Sequence, residues 1–188
     1  MTISINQLTS GMGLLINDAI YVVVEYSHVK PGKGTAFVRV KLKNLKTDQV
    51  IERTFKTAEK LDDVQLEERK LQNLYRSGDS FHFMDNTNYE EIVVDRATIG
   101  DALKFLQDNL EVVGIFSNKQ MQKMLLPMFI EAEIIQTEPG FKGDSSRAGT
   151  KPATIDTGTI IQVPLFVDIG DFVKIDTRTG SYVERIKK

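Results

Sequence analysis

The chain has 188 residues, of which 41% are hydrophobic and 27% are charged, and its formal net charge is −2. This composition describes an ordinary soluble globular protein of one or two domains, or of three small ones. No apolar run approaches the roughly 20 residues of a membrane helix, and the N-terminus lacks the pattern of a secretory signal. The absence of cysteine excludes disulfides, and the two histidines cannot supply a histidine-rich metal site. We expect a cytoplasmic protein with no cofactor, no metal and no membrane partner.

The first third of the chain predicts a hairpin with a basic tip. Strand-like runs at 19–26 and 35–42 flank a short turn sequence, which consists of Lys30, Pro31, Gly32, Lys33 and Gly34. Proline fixes its own φ and glycine permits backbone conformations that most residues avoid, so these five residues predict a rigid turn. Lys33 near its tip indicates a cation that reaches into a binding partner.

The strand after this turn alternates apolar and basic side chains with a period of two. Arg39 and Lys41 therefore share the face opposite Val38, Val40 and Leu42. The sequence allows two interpretations, an anionic partner approached from this end or a solvated face whose lysines protect a sheet edge. Residues 29–56 hold two acidic residues, Asp48 and Glu52, and eight basic ones: Lys30, Lys33, Arg39, Lys41, Lys43, Lys46, Arg53 and Lys56.

Strand and turn signals continue to the end of the chain and predict three small β-barrels. The polar stretch 57–63 is a plausible first boundary. A hairpin at 80–94 and a short helix at 99–109 give the second unit the layout of a five-stranded OB barrel. A third all-β unit begins near residue 129, with strands that include 165–167. The predicted domains are 1–63, 64–128 and 129–188.

No pattern in the sequence supports catalysis. A phosphate-binding loop would run from glycines into a helix, whereas the glycines here run into a strand. Nothing places His28 or His82 beside a nucleophile, and we expect both to be structural or surface residues. The sequence therefore predicts no catalytic residue and no enzyme.

Nucleic-acid binding has more support than catalysis. OB barrels present a face and loops suited to oligonucleotides. The chain has no tryptophan to stack on single-stranded bases, and Phe81 and Phe83 share a strand face that we expect to form barrel core. The pattern favours structured RNA, recognised through shape and phosphates.

Three stretches along the whole chain resemble the family of bacterial translation elongation factor P. They are KPGKG at 30–34 with AF at 36–37; GD at 143–144 through GTKPAT at 149–154 and TG at 157–158; and VPLFV at 163–167 through IGD at 169–171, DTRTG at 176–180 and Tyr182. All three in this order and at these spacings make the resemblance specific.

The resemblance implies an L-shaped array of one SH3-like (KOW-like) barrel and two OB barrels. It implies binding between the ribosomal P and E sites when synthesis stalls on consecutive prolines. The implied partners are the 70S ribosome, the P-site peptidyl-tRNA, rRNA and a lysine-modifying enzyme, and the chain is expected to be a monomer.

The resemblance also implies roles for individual residues. Lys33 is the modified lysine at the loop tip, which approaches the CCA end of the tRNA. The residues that shape the loop near the CCA end are Lys30, Pro31, Gly32 and Gly34. The residues expected to contact the tRNA backbone, because of their charge and the strand face that they share, are Arg39, Lys41 and Lys43. Those expected to face the small subunit and the E-site codon are Gly143, Asp144, Gly149 and Lys151. Tyr182 and Arg185 are expected on the side of the anticodon arm or small subunit.

Two other functions compete with this one. A general module for structured RNA would bind free RNA with steep salt dependence and would not depend on Lys33 more than on other lysines. A structural protein whose β-edges bind a partner chain would be unaffected by Lys33→Ala.

Overall fold

A computed structural model describes residues 2–30, 32, 35–139 and 149–187 of the chain. Within these ranges the chain forms 16 strands in three sheets, together with one α-helix and two short 3₁₀ helices. The sheets span residues 2–64, 67–125 and 129–186. The prediction of an all-β chain with one short helix in its middle part is confirmed. None of the helices in the described ranges is long and apolar enough to cross a membrane.

The first sheet has six strands, and a 3₁₀ helix, Ile5–Gln7, follows the first of them. The strands are β1 Thr2–Ser4, β2 Gly13–Ile16, β3 Ala19–Val29, β4 Phe37–Asn44, β5 Val50–Lys56 and β6 Lys60–Val64. Their order across the sheet is β1-β6-β2-β3-β4-β5. Strand β4 has the predicted alternation, because Val38, Val40 and Leu42 are fully buried and the residues between them are exposed. β-Branched and aliphatic side chains on one strand face thus build the core.

The second sheet has five strands. They are β7 Glu67–Ser77, β8 Ser80–Asp85, β9 Glu91–Asp95, β10 Glu111–Ser117 and β11 Gln120–Leu125. Their order is β11-β10-β7-β8-β9. Phe81 and Phe83 on β8 are buried, as predicted for barrel core.

The predicted helix at 99–109 lies elsewhere. The structure has an α-helix, α1 Arg96–Ile99, followed by a 3₁₀ helix, Gly100–Phe105. Asp95 begins α1 because its carboxylate accepts a hydrogen bond from the Thr98 amide at 2.7 Å. Gly100 ends it with a φ of +58°, a conformation that favours glycine. The helical spacing of apolar residues beyond Gly100 therefore did not produce an α-helix.

The third sheet also has five strands. They are β12 Phe129–Thr137, β13 Thr150–Ile155, β14 Ile160–Pro164, β15 Phe172–Asp176 and β16 Ser181–Ile186. Their order is β14-β13-β12-β15-β16. The predicted strand at 165–167 is wrong, because β14 ends at Pro164 and the Val167 amide donates to the Pro164 carbonyl at 3.1 Å in a turn.

The core beneath the third sheet includes a residue from the preceding 3₁₀ helix. Phe105 is buried among the aliphatic side chains of β12 to β15. The Thr157 and Thr159 hydroxyls both donate to the carbonyl of Lys104, at 2.7 and 2.6 Å. The side-chain amide of Gln107 donates through Nε2 to the backbone carbonyl of Glu131 at 2.9 Å. These contacts attach the 3₁₀ helix to the third sheet.

The chain divides into two compact units. One comprises residues 1–68 with 115–123, and the other comprises residues 69–114 with 124–188. The predicted domain boundaries after residues 63 and 128 stay a prediction.

Candidate functional site

The segment predicted to form a basic turn lies in the chain between the two longest strands of the first sheet. Strands β3 and β4 pair, with a bulge between Val23 and Glu25, as far as Val29 opposite Phe37. Five successive residues of β3, from Val24 to His28, are exposed, so this arm presents side chains to solvent along much of its length. The structure thus confirms the two paired strands of the predicted hairpin, and Lys30 follows directly after the last paired residue of β3.

Some residues of this turn are described and others are not. Lys30 and Gly32 are exposed, and no atom would lie within 4 Å of a Cβ added to Gly32. Pro31, Lys33 and Gly34 lie outside the described residues. The Thr57 hydroxyl donates to the carbonyl of Ala36 at 3.4 Å, which holds the base of the connection to the end of β5. The roles of the turn residues stay predictions.

The three cations of β4 lie on its exposed face as predicted, and each is paired with a carboxylate. We call Arg39, Lys41 and Lys43 the basic stripe. Arg39 Nε lies 3.1 Å from Glu52 Oε1, and Lys41 Nζ lies 2.8 Å from Glu25 Oε2. The remaining pair joins Lys43 Nζ to Asp48 Oδ1 at 2.8 Å, and Lys123 also binds Asp48. The sequence count of eight cations against two anions missed Glu25, which β3 brings alongside Lys41.

These ion pairs alter the titration of their members. The hydrogen bond and the charge of Glu25 raise the pKa of Lys41, and the same contact lowers the pKa of Glu25. Burial raises the pKa of Asp48, but hydrogen bonds from Lys123 and Lys43 offset this effect and lower the pKa overall. Lys41 therefore remains charged, and Glu25 and Asp48 remain ionised, at neutral pH.

The ion pairs of the basic stripe are about half exposed, with side-chain exposures between 47% and 65%. Exposed pairs of this kind contribute little to stability, because water screens them and ordering two long side chains opposes them. The stripe cations can therefore exchange carboxylates for other anions.

The second predicted contact region comprises Gly143, Asp144, Gly149 and Lys151, between β12 and β13 and at the start of β13. Gly143 and Asp144 lie outside the described residues. Lys151 is buried, with 6% of its side chain exposed. Its ammonium donates to the carbonyl of Glu138 at 2.7 Å and lies 3.7 Å from Asp168 Oδ1. Lys151 thus connects the two ends of the segment 140–148.

Two further contacts fix the base of this segment. The Thr137 hydroxyl donates to the carbonyl of Pro152 at 2.9 Å. Gly149 packs closely on Leu165, because a Cβ at Gly149 would lie 2.9 Å from Leu165 Cδ1. The contact of Gly149 and Lys151 with the small subunit stays a prediction, and within the chain both residues anchor the loop.

Tyr182 and Arg185 lie on β16. Tyr182 is partly buried and packs against the third core. Arg185 Nη1 lies 3.4 Å from Asp171 Oδ2, and its guanidinium lies 5.5 Å from the centre of the Phe166 ring. Phe166 is 58% exposed, a feature that sequence reasoning missed because it read 165–167 as a strand.

The DTRTG stretch forms a turn with a charged clamp. The Arg178 guanidinium binds the Asp176 carboxylate through Nε at 3.0 Å and Nη2 at 2.6 Å. This hydrogen bonding lowers the pKa of Asp176 to about 2. The Gly180 amide closes the turn on the Asp176 carbonyl at 2.8 Å. These contacts give Asp176, Arg178 and Gly180 a structural role in the turn.

Of the two histidines, His28 is exposed, whereas only 17% of the His82 side chain is exposed. His28 contacts Tyr26 edge to face. His82 stacks on Tyr75, with ring centres 4.3 Å apart, and its Nδ1 lies 2.5 Å from Glu91 Oε1. The described parts of the chain contain no group of three or more His, Asp or Glu side chains placed to hold a metal ion.

Comparisons with known proteins assign a domain family to each of the three sheets, the first of them KOW-like and the second of the OB type. Residues 4–61 match the model of the elongation factor P KOW-like domain, residues 66–123 that of the elongation factor P OB domain, and residues 130–185 that of the elongation factor P C-terminal domain. Together the three matches cover most of the chain.

Full-length relatives give the same result. Elongation factor P from Moorella thermoacetica is 46% identical over 97% of this chain and 99% of its own length. The protein of that name from Caldicellulosiruptor saccharolyticus is 47% identical over 94% of this chain and 95% of its own length.

Among solved structures, the eukaryotic translation initiation factor 5A from Methanococcus jannaschii has a TM-score of 0.49 and 24% identity, covering 66% of this chain and 94% of that one.

The matches to the three elongation factor P domain models and to the full-length relatives define a translation factor. The chain belongs to the elongation factor P family.

Proposed function

We propose that this translation elongation factor binds the 70S ribosome between the P and E sites and promotes peptide-bond formation at consecutive prolines. The observation that carries the proposal is the β3–β4 hairpin, whose pairing ends at Val29 and Phe37 and leaves Lys33 in the middle of the connecting segment. An exposed hairpin arm suits a residue that must reach a distant reaction centre.

The proposed mechanism is positional. Proline reacts poorly because its secondary amine and rigid ring misplace the reacting atoms. Holding the peptidyl-tRNA in a productive geometry removes part of the entropic barrier, while the ribosome supplies the chemistry. In this proposal Lys33 approaches the CCA end, and Lys30, Pro31, Gly32 and Gly34 shape the loop.

The basic stripe is proposed to hold the tRNA backbone. Arg39, Lys41 and Lys43 lie on one face of β4, at alternate positions, and their half-exposed carboxylate partners can be replaced by phosphates. Three cations at regular intervals along a strand suit a line of phosphates rather than a single anion. Sugar–phosphate contacts of this kind position an RNA without reading its sequence.

The loop of the third sheet is proposed to face the small subunit and the E-site codon, with Gly143 and Asp144 in the contact. Gly149 and Lys151 hold the base of that loop. Arg185, with Phe166 beside it, and Tyr182 belong to the side of the anticodon arm or small subunit. rRNA is the expected partner here.

The remaining proposals concern the cellular setting. Lys33 is a substrate for a lysine-modifying enzyme that lengthens its reach. The factor acts in the cytoplasm as a monomer of three domains, 1–63, 64–128 and 129–188, and without catalytic residues of its own.

A general module for structured RNA is the alternative, and the ion pairs of the basic stripe disfavour it. Such a module gains affinity from cations that neutralise phosphates and release counterions. Here each stripe cation already has a carboxylate within 3.1 Å.

The test is reconstituted translation of a message that encodes three consecutive prolines. We expect full-length product with the factor purified from its native host, and stalled product without it or with Lys33→Ala. Lys46→Ala, which removes an exposed lysine from the β4–β5 turn, is the matched control and should remain active. Equal activity of Lys33→Ala and Lys46→Ala would contradict the proposal, and so would failure of the native protein.

A further inference from the structure

The carboxylates around the basic stripe are placed by the sheet itself. Lys41 lies directly opposite Glu25 on β3 and directly opposite Glu52 on β5. Backbone pairing thus places one carboxylate on each side of Lys41, the central cation. Asp48 is held in the β4–β5 turn, with a φ of +59°, where Lys43 and Lys123 both bind it.

The pairing gives every cation of the basic stripe a carboxylate partner. Lys123 shares Asp48 with Lys43. The pKa shifts of Glu25 and Asp48 keep these two carboxylates ionised at neutral pH. A phosphate that approaches Arg39, Lys41 or Lys43 must displace a carboxylate and then remain beside it. Free RNA therefore gains little from this surface.

Fold stability does not account for the arrangement. The carboxylates of the three pairs are between 51% and 65% exposed, and ion pairs as exposed as these contribute little to folding. The side chains beneath the stripe, Val38, Val40 and Leu42, are fully buried and hold β4 in the sheet.

We infer that Glu25, Glu52 and Asp48 are specificity-determining residues that suppress binding of the basic stripe to free RNA. An RNA backbone held against the stripe by other contacts of the factor competes at high effective concentration and can displace the carboxylates. Free RNA lacks that advantage and is rejected by like charge. The inference rests on the proposed function only in taking the positioned RNA to be tRNA.

The test measures binding of a short, unstructured, fluorescently labelled RNA to the full chain at several salt concentrations. The variant Glu25→Gln/Asp48→Asn/Glu52→Gln removes the three anions and keeps the side-chain shapes. Among the described residues the variant frees four cations, because Lys123 also loses its partner Asp48. At a slope of about 0.7 for each cation on single-stranded RNA, we expect the salt slope to steepen by about 3. The loss of affinity between about 50 and about 200 mM salt then grows by roughly 50-fold relative to wild type.

The matched control changes net charge by the same amount at other positions. Asp18→Asn/Glu68→Gln/Asp108→Asn removes three exposed carboxylates from the β2–β3 turn, β7 and the segment after the second 3₁₀ helix. Its RNA affinity and salt slope should stay close to those of wild type. An equal change in both triple variants, or no change in either, would overturn the inference.

A further variant locates the effect. Adding Arg39→Gln, Lys41→Gln, Lys43→Gln and Lys123→Gln to the carboxylate-free variant removes every cation that the three carboxylates bind in the described parts of the chain, and should restore the weak binding of wild type. Persisting tight binding would place the RNA elsewhere and overturn the inference. None of these measurements involves ribosomes or a message with consecutive prolines. The proposed function can therefore fail in the translation assay while this inference holds, and this inference can fail while the proposed function holds.

Discussion

The aromatic ring of Phe105 lies against Gly180, so that a Cβ at Gly180 would stand 3.4 Å from Phe105 Cζ. Phe105 comes from the 3₁₀ helix after α1, and Gly180 ends the turn between β15 and β16. Gly180 has a φ of +69°, a backbone conformation that favours glycine. The last residue of the DTRTG stretch thus lies beside an aromatic side chain of the third core.

Phe105→Ala should destabilise the chain by about 3–5 kcal/mol, because it empties a site in a packed core. Phe166→Ala, which removes an exposed ring, should change the free energy of unfolding by less than about 1 kcal/mol. Urea denaturation followed by circular dichroism measures both. Similar losses in the two variants would show that Phe105 does not hold the third core together.

Gly13→Ala should also destabilise the fold. A Cβ at Gly13 would lie 2.5 Å from the carbonyl oxygen of Val64, a backbone atom that cannot move away without disturbing the β2–β6 pairing. Overpacking of this kind costs about 1–3 kcal/mol. Gly32→Ala has no atom within 4 Å of the new Cβ and is the control. We expect a lower melting temperature for the first variant and an unchanged one for the second; the opposite ranking would refute the close packing.

Lys151→Met should weaken the base of the segment 140–148. The substitution keeps most of the side-chain volume but removes the ammonium that donates to the Glu138 carbonyl, and a hydrogen bond from a charged group contributes about 1.5–3 kcal/mol. Thermal unfolding measures the loss. Lys46→Met, at an exposed turn position, should leave the melting temperature unchanged. Equal stability of both variants would mean that the Lys151 ammonium does not anchor the segment.

The Asp176 carboxyl should titrate with a pKa of about 2 in the folded chain, because the Arg178 guanidinium binds its ionised form. A lowered pKa in the folded state means that the pair stabilises the fold above the ordinary aspartate pKa near 3.8. That contribution is lost as the pH falls toward 2. Carboxyl-detected NMR titration measures the value directly. Arg178→Gln should raise it toward the ordinary range, whereas Arg76→Gln should not; an unchanged Asp176 pKa in Arg178→Gln would contradict the clamp.

Much of the architecture was predictable from local patterns. The alternation of β4 predicted which side chains are buried and which form the basic stripe, because successive side chains on a strand point to opposite faces. The turn residues from Lys30 to Gly34 predicted the hairpin. The order and spacing of three motifs predicted the family, and the relatives confirm it.

Contacts between distant residues were not predictable in this way. The pairing of Glu25 with Lys41 depends on the β3–β4 register, which includes a bulge between Val23 and Glu25 that no local pattern marks. The burial of Lys151 opposes the usual exposure of lysine and follows from a carbonyl supplied by Glu138.

The sequence by itself determined the all-β class, the basic hairpin and the family, because these depend on residue types at short, regular separations. Only the tertiary structure decided that Phe105 joins the third core, that Phe166 is exposed, and that each cation of the basic stripe is paired with a carboxylate. Each of these depends on which residues distant in the chain become neighbours, and folding brings them together through the packing of whole sheets.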